Sequence, residues 1–377
     1  MLLHFFNFQK DNVPFKYVII ESEKTSPKKM YGKTFGDFSG DNFPDILISS
    51  AKDDGMHWYE YPSWTKHTIR EFGSWSEDIQ TGDMDGDGDI DIIQGNKDAL
   101  FWYQNPLIQS KKSNTNEWNA IRIGSDGTNI HDLEVADING DGKLDVVIRY
   151  EKENNKSVHI YIQETPTLFS EIEKVNTTNL KGEGLCLADI NDDSFLDIII
   201  GNVWCQNNGD GTKWKEQSYA SELPAQLMIR VGDLNGNGAN EILVCPQSSK
   251  VGSLVWFFQD VKSKVWKQQI IQNGITKMHG LAIGDFNLDG ALDIHTSLRH
   301  DLKGNNDNVS IWINDNSTIP NFTEQILSKK GSHFSKVIDI GNDGDLDIQG
   351  VNWRSNKSFN APIELWENLT INNLINE

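Results

Sequence analysis

The chain has 377 residues, of which 37% are hydrophobic, with 12 Trp, 17 Phe and 8 Tyr supplying large apolar side chains; this favours a folded protein built of small units over a disordered one. Lys and Arg number 34 against 55 Asp and Glu, a net charge of −21, which repels nucleic acid and anionic membranes and attracts divalent cations. No run approaches the ~18 apolar residues of a membrane span, and Cys186, Cys205 and Cys245, with no CxxC, make no disulfide framework.

The first segment, MLLHFFNFQKDN, has too short an apolar stretch and the wrong flanks for a signal peptide. A trimmed signal would leave no trace, so the compartment stays open at this point. FKYVIIES at 15–22 follows as an orphan strand. Then seven alike segments begin at Gly36, Gly82, Ala136, Ala188, Gly232, Gly284 and Ile338. Their first aspartates are Asp37, Asp83, Asp137, Asp189, Asp233, Asp285 and Asp339, spaced by 46, 54, 52, 44, 52 and 54 residues. The repeat fills nearly the whole chain, so one domain over 1–377 is expected.

Each unit reads as four short strands. An apolar strand precedes the Asp loop (LEVAD, LAIGD) and a second follows it (DIIIG, DVVIR). A third alternates aromatics, as in HWYEY at 57–61, LFWYQ at 100–104, VHIYI at 158–162, LVWFF at 254–258, VSIWI at 309–313 and IELWE at 363–367. A fourth opens with Trp or Phe, as at 64–69, 118–123, 266–271 and 322–327. Period-2 alternation between Gly/Asn/Asp clusters is the strand signature. Units of ~50 residues that cannot cover both of their faces stack radially, which predicts an all-β, seven-bladed propeller of four-stranded antiparallel blades. The last unit lacks a fourth strand, and the orphan strand 15–22 is placed to supply it and close the ring.

The loops follow D-x-[DN]-x-[DN]-G-x-x-D, with oxygen-bearing side chains at positions 1, 3, 5 and 9. That pattern suits Ca²⁺, which takes six to eight oxygens in flexible geometry. The fullest loop is Asp83, Asp85, Asp87 and Asp91. Next come Asp137, Asn139, Asp141 and Asp145, then Asp285, Asn287, Asp289 and Asp293. Asp37, Ser39, Asp41 and Asp45, like Asp189, Asn191, Asp193 and Asp197, lack the sixth-position Gly. Asp233, Asn235, Asn237 and Glu241 carry fewer charges, and the last loop offers Asp339, Asp343 and Asp347 around Gly341. An Asp/Asn-Gly turn needs no ion, but these seven hold 21 of the 55 acidic residues, and their mutual repulsion favours structural calcium in several.

These repeats resemble the FG-GAP/VCBS family, the propeller of integrin α-subunit heads and of many secreted bacterial proteins. The resemblance implies the fold and Ca²⁺, and with them an extracellular or periplasmic location, a cytoplasmic one staying open. It does not select a function, because the family includes adhesion modules, lectins and polysaccharide lyases. GMHWYEYPSWTKHTI and the NAPIELWEN ending are similar to the propeller part of aldos-2-ulose dehydratase and its relatives, which implies metal-dependent elimination of water from keto-sugars.

One column stands apart from packing. Six residues before each first Asp stand Tyr31, Glu77, His131, Glu183, Leu227, His279 and His333. All seven positions ring the axis on the face opposite the Asp loops. Three imidazoles and two carboxylates suit a transition-metal site, zinc first, with an open position. In an unbroken strand this position shares a face with the apolar fourth and second positions before the Asp, so these residues could instead tuck between blades. On the same rim Arg149, Arg299, His300, Trp353, Arg354 and Trp75 are candidates for sugar contacts. His57, His67, His159 and His295 lie in or beside outer strands and read as structural.

The column yields the leading expectation, a metal-dependent lyase or dehydratase that acts by β-elimination on a keto-sugar or uronate. His131, His279, His333 or Tyr31 would take the proton, and Glu77 or Glu183 would serve as ligand or acid/base. The alternative is a non-catalytic carbohydrate-binding or adhesion propeller using the same rim. The partner in either case is a carbohydrate, not nucleic acid and not the membrane interior; the oligomeric state stays open.

Overall fold

A computed structural model describes residues 12–96, 99–107, 118–124, 130–150, 157–176, 183–248, 250–260, 262–299, 307–352 and 360–371. It contains seven sheets of four antiparallel strands, with almost no helix among the described residues. Six blades run in chain order from an inner to an outer strand. In the seventh the order is Phe15–Glu21, Ile363–Asn368, Asp347–Val351, Lys336–Ile338, so the N-terminal strand is its outermost member. Phe15 pairs with Asn368 and Ile19 with Glu364. The ring is closed by one strand from each end of the chain.

The core is not central. Among the described residues it divides into seven clusters, each at a seam between adjacent blades. Leu47 and Trp58 of blade 1 meet Ile79, Ile92 and Tyr103 of blade 2, and Ile46, Ile48 and Tyr59 of blade 1 meet Val351, Ile363 and Leu365 of blade 7. Each sheet thus covers its neighbour, and the aromatic alternation of the third strands is explained. Trp58, Trp102 and Trp256 stand at one register of blades 1, 2 and 5 and are almost completely buried. Loss of such a ring costs ~3–5 kcal/mol.

A polar tie repeats beside the apolar one. A residue at or near the end of the third strand donates its side-chain amide to a loop carbonyl of the preceding blade. Asn105 reaches Phe38 (3.3 Å), Gln163 reaches Met84 (2.7 Å), Asn207 reaches Ile138 (2.9 Å), Asn314 reaches Leu234 (2.8 Å) and Asn368 reaches Phe286 (2.9 Å). Between blades 4 and 5 Asn240 does this work, donating to Asp189 O at 2.7 Å.

Blade 4 holds third and fourth strands at Val203–Asn207 and Trp214–Ser218 that alternation alone does not announce, since five-residue strands carry too few periods to stand out.

Two outcomes are expected. Asn314→Ala leaves the buried Leu234 O and the half-buried Leu292 O without this donor and should lower stability by about 1–3 kcal/mol in urea unfolding. Deleting residues 1–22 exposes the edge of Ile363–Asn368 and should give aggregation or a large loss of stability; a monomeric truncation with an unaltered melt would contradict closure by this strand.

Candidate functional site

The Asp loops occupy one face. In blade 2, Asp83 Oδ1 accepts the backbone N–H of Gly86 (2.8 Å) and Asp87 (3.1 Å), and its Oδ2 that of Gly88 (3.0 Å). The chain curls because Gly86 and Gly88 take φ of 73° and 98°, a left-handed region open to glycine. Loops lacking the sixth-position Gly keep the turn with Asn42 (φ 71°) and Ser194 (φ 72°). The ninth-position acids, Asp45, Asp91, Asp145, Asp197, Glu241, Asp293 and Asp347, are fully buried. Asp91 accepts Met84 N–H at 3.1 Å and Asn105 N–H at 2.7 Å, and the same pair of contacts recurs at Asp145, Asp197, Asp293 and Asp347. Burial pushes these carboxyls up, to about 8 for Asp91 and about 6 for Asp197, against those hydrogen bonds. The ninth position therefore has a structural duty of its own. Among the described residues only Asp83, Asp85 and Asp91 bring three donor atoms within 4.8 Å of one another, so blade 2 is the loop whose donors already fit a hard cation.

The inner strands lead from these loops to the opposite mouth, where the parity question resolves. In blades 1, 2, 3 and 6 the pairing of the first two strands shifts register between Met30 and Gly32, Trp75 and Ile79, Ile130 and Asp132, and Met278 and Gly280. Tyr31, Glu77, His131 and His279 lie inside these irregularities. A bulge re-aims the side chain it carries, so the column leaves the packing face and turns toward the axis. Glu183 and His333 precede their strands altogether.

The column converges. His131 Nε2 lies 3.5 Å from Glu77 and 3.5 Å from Glu183, and His333 Nε2 lies 3.5 Å from the other oxygen of Glu77. The His279 and His333 rings are 4.8 Å apart, and Tyr31 stacks on His333 at 6.0 Å. Glu183 also receives Gln226 Nε2 at 2.6 Å. Leu227, the seventh member, packs in the seam between blades 4 and 5.

Three residues outside the column shape the mouth. Asp132 accepts His131 Nδ1 at 3.3 Å and Gly184 N–H at 2.9 Å. Phe334 lies edge-on to His131, His279 and His333 with a φ of 53°, uncommon for a bulky residue and typical of a functional constraint. Lys33 is buried, donating to Met30 O (3.2 Å) and Tyr31 O (3.0 Å). No sequence signal marks Asp132 or Phe334, because the fifth position before the Asp is otherwise Gly32, Asp78, Gly184, Met228 and Gly280. Lys33 was legible as the one cation in an apolar column. Below the mouth, Asp78, Gln80, Glu134, Arg230, Phe334 and Lys336 line an axial cavity of about 30 Å³, room for a water or two and not for a sugar ring.

Charge is distributed unevenly. Burial opposes an imidazolium at His131, but Asp132 first, then Glu77 and Glu183, overcome it and hold its pKa near 10. Burial lowers His279 to about 3 and His333 well below the usual range, helped by nearby Arg299 and Lys33. Burial likewise pulls Lys33 down to about 7 against the attraction of Glu77. His279 Nδ1 lies 2.9 Å from Lys277 O; a carbonyl can only accept, so Nδ1 carries the proton and Nε2 is the basic nitrogen.

Other candidates fall elsewhere. Trp75 is buried in the seam between blades 1 and 2 and donates Nε1–H to Tyr103 OH at 3.0 Å, so it offers no rim platform. Arg149 is buried and donates to Gly184 O at 2.8 Å, so it braces the mouth from behind. Arg299 is half-buried at the mouth, its N–H on Lys277 O at 2.9 Å. His300, Trp353 and Arg354 lie outside the described residues. His57, His67 and His295 have the structural partners Thr68, Glu60 and Ser335, and His159 has Glu171. Nor do the mouth imidazoles and carboxylates bring three donor atoms within the 4.8 Å seen at Asp83, Asp85 and Asp91. They do not fit a zinc ion as they stand.

One consequence is testable. His131 is raised above its ordinary value, so it adds stability that is fully present below about pH 6.5 and lost as pH rises through about 10. Asp132→Asn should therefore destabilise the protein more at pH 7 than at pH 10.5. NMR titration of the imidazole should show His131 still protonated at pH 8 in the parent and lowered in the variant.

Comparison with known proteins adds the following. The FG-GAP-like repeat family matches residues 37–94, 83–148 and 137–200. No curated protein matches the sequence. An Agrocybe aegerita lectin, described as specifically recognising non-reducing terminal N-acetylglucosamine, is similar in structure, with a TM-score of 0.51 and 18% identity over 86% of this chain and 88% of that one. The V. cholerae biofilm matrix protein Bap1 is similar with a TM-score of 0.52 and 10% identity over 95% of this chain and 91% of that one. At such identities the likeness is one of fold. None of these matches carries the narrower resemblance to aldos-2-ulose dehydratase. Three FG-GAP-like repeats matched over residues 37–200, within a ring of seven four-stranded blades, support placing the chain with the FG-GAP-repeat propellers.

Proposed function

We propose that the chain is a carbohydrate-binding propeller, held rigid by calcium in its Asp loops, that takes its ligand at the channel mouth opposite those loops. The observation that carries this reading is the asymmetry of the mouth. Six blades present Tyr31, Glu77, His131, Glu183, His279 and His333 at one register, which makes a single asymmetric cluster rather than seven copies of one site. Imidazoles, carboxylates and a tyrosine hydroxyl all exchange hydrogen bonds with sugar hydroxyls. The fold shared with a lectin and with a biofilm matrix protein supports the reading, as does the ready donor set at Asp83, Asp85 and Asp91.

A second reading, elimination on a keto-sugar or uronate, is favoured by the Asp132–His131 pair, whose Nε2 faces Glu77 and Glu183. That arrangement can hold and move a proton at His131 Nε2, with Asp132 fixing the ring.

Binding to an oligosaccharide array tests the first reading. Tyr31→Ala and Glu77→Gln should each lower affinity at least tenfold in protein that still melts cooperatively, Glu77→Gln at a somewhat lower temperature because Glu77 helps hold the His131 imidazolium. Full binding by both variants would place the ligand elsewhere. Chelator should lower the melting temperature of the parent, and an unchanged melt would remove calcium from the account. Unsaturated products absorbing in the near ultraviolet, lost in Asp132→Asn, would select the second reading.

A further inference from the structure

Two departures from the repeat face each other across the seam between blades 7 and 1. The first lies in the polar ties. Asn105, Gln163, Asn207, Asn314 and Asn368 each donate a side-chain amide to the loop of the preceding blade. Each also donates its backbone N–H to the ninth-position acid of its own blade. In blade 1 that backbone bond comes from Tyr61, whose N–H reaches Asp45 at 3.0 Å. Tyr61 therefore occupies the tie position and sends a phenol, not an amide, toward the loop of blade 7.

The second departure is in that loop. Its third position is Gly341, where the other six loops have Ser39, Asp85, Asn139, Asn191, Asn235 and Asn287. The backbone does not ask for glycine, since Gly341 does not take a positive φ. A Cβ added there would stand 3.6 Å from Tyr61 OH and 3.7 Å from Asp343 Oδ2. The phenol of blade 1 and the fifth-position carboxylate thus approach the point where the missing side chain would begin. Phe43 and Trp64 hold the Tyr61 ring, with centroids at 5.6 and 5.4 Å, and Tyr61 OH has no hydrogen bond among the described residues. Burial first, then Glu367, Asp347 and Asp343, push the phenol above its ordinary range, so it is a neutral oxygen beside the loop's fifth- and ninth-position acids.

The loop is otherwise built as in blade 2. Asp339 accepts the N–H of Asp343 at 3.0 Å and of Gly344 at 2.9 Å, as Asp83 accepts those of Asp87 and Gly88. In blade 2 the converging donors are positions one, three and nine, Asp83, Asp85 and Asp91. The seventh loop keeps one and nine, Asp339 and Asp347, and lacks three. It also holds an orphan. Asp345 is 1% exposed, with one oxygen on Ile371 N–H at 3.0 Å and Oδ1 buried without a hydrogen bond. Burial first, then Asp343 and Asp339, raise its pKa, which places it among the loop's own carboxylates. A buried oxygen with no donor is costly, and a cation is the partner that answers it.

We infer that a hard cation in the seventh loop takes the Tyr61 phenol of blade 1 as its third-position ligand, so that the ion bridges the seam where the ring closes. Ca²⁺ accepts neutral oxygens beside carboxylates. The inference rests on the calcium part of the functional reading. Asn342 Nδ2, donating to Asn42 O at 3.4 Å, joins the same two loops, and the shared ion adds a charged contact to that junction.

Hydrogen exchange followed by mass spectrometry tests this on the full chain, stripped with chelator and titrated with Ca²⁺. Calcium should protect both 83–91 and 339–347. Tyr61→Phe keeps the ring packing and removes only the oxygen. It should raise the calcium needed to half-protect 339–347 at least tenfold, the scale on which metal sites respond to loss of one supporting group, and leave 83–91 as in the parent. Adding Gly341→Asp to Tyr61→Phe should restore protection, because the loop then supplies the oxygen itself. Unchanged protection of 339–347 in Tyr61→Phe overturns the inference and leaves calcium in the loops, as does protection of 83–91 alone in the parent. Loss at both loops, or loss that Gly341→Asp does not restore, assigns Tyr61 to packing and also overturns it. Protection of neither loop in the parent overturns the calcium reading itself.

Discussion

Everything in this ring hangs on a buried carboxylate repeated seven times. The acid at the ninth loop position receives a backbone N–H from the start of its own loop and, in most blades, another from the end of the third strand, as Asp293 does from Phe286 and Asn314. Asn314 then donates across the seam to Leu234. One side chain thus fixes the loop, anchors a strand end and passes the register to the blade before it. Taking a carboxylate out of water is costly unless it is hydrogen-bonded, and here that cost is answered by N–H groups that would otherwise be orphaned in the turn. The demand for an acid at that position is structural before it concerns any ion.

Regularity on one face permits irregularity on the other. With loops, seams and ties repeated, the opposite ends of the inner strands are released from packing. A register shift there turns Tyr31, Glu77, His131 and His279 out of the seam. Each blade can then carry a different group without altering its neighbours' cores. The left-handed Phe334, wedged against three imidazoles, is the clearest local rule broken, and it lies where a site would hold strain.

The fold was legible because it is periodic. The Asp loops, the aromatic third strands and the orphan strand at 15–22 each state a repeat or its missing member, and the ring follows from counting. The mouth was legible only in part. The column could be picked out by composition, but in an unbroken strand its parity points into the seam, and no residue type announces the bulges that reverse it. Asp132 and Phe334 escaped because their column has no pattern. Trp75 and Arg149 were misread because an aromatic or guanidinium near a strand end looks alike whether it faces solvent or a neighbouring blade. Burial decides between these, and burial comes from tertiary packing.

Closure by one strand from each end also sets where the molecule can be altered. Phe15 lies opposite Asn368, and Leu369 donates to the Pro14 carbonyl at 2.8 Å. Asn368 is itself bonded to Asp347, so both ends of the ordered ring meet on the loop face. Pro14 and Leu369, where the described chain enters and leaves the last blade, therefore lie on the face opposite the mouth. Changes made beside this junction act on the loop face and leave the mouth's own side chains in place.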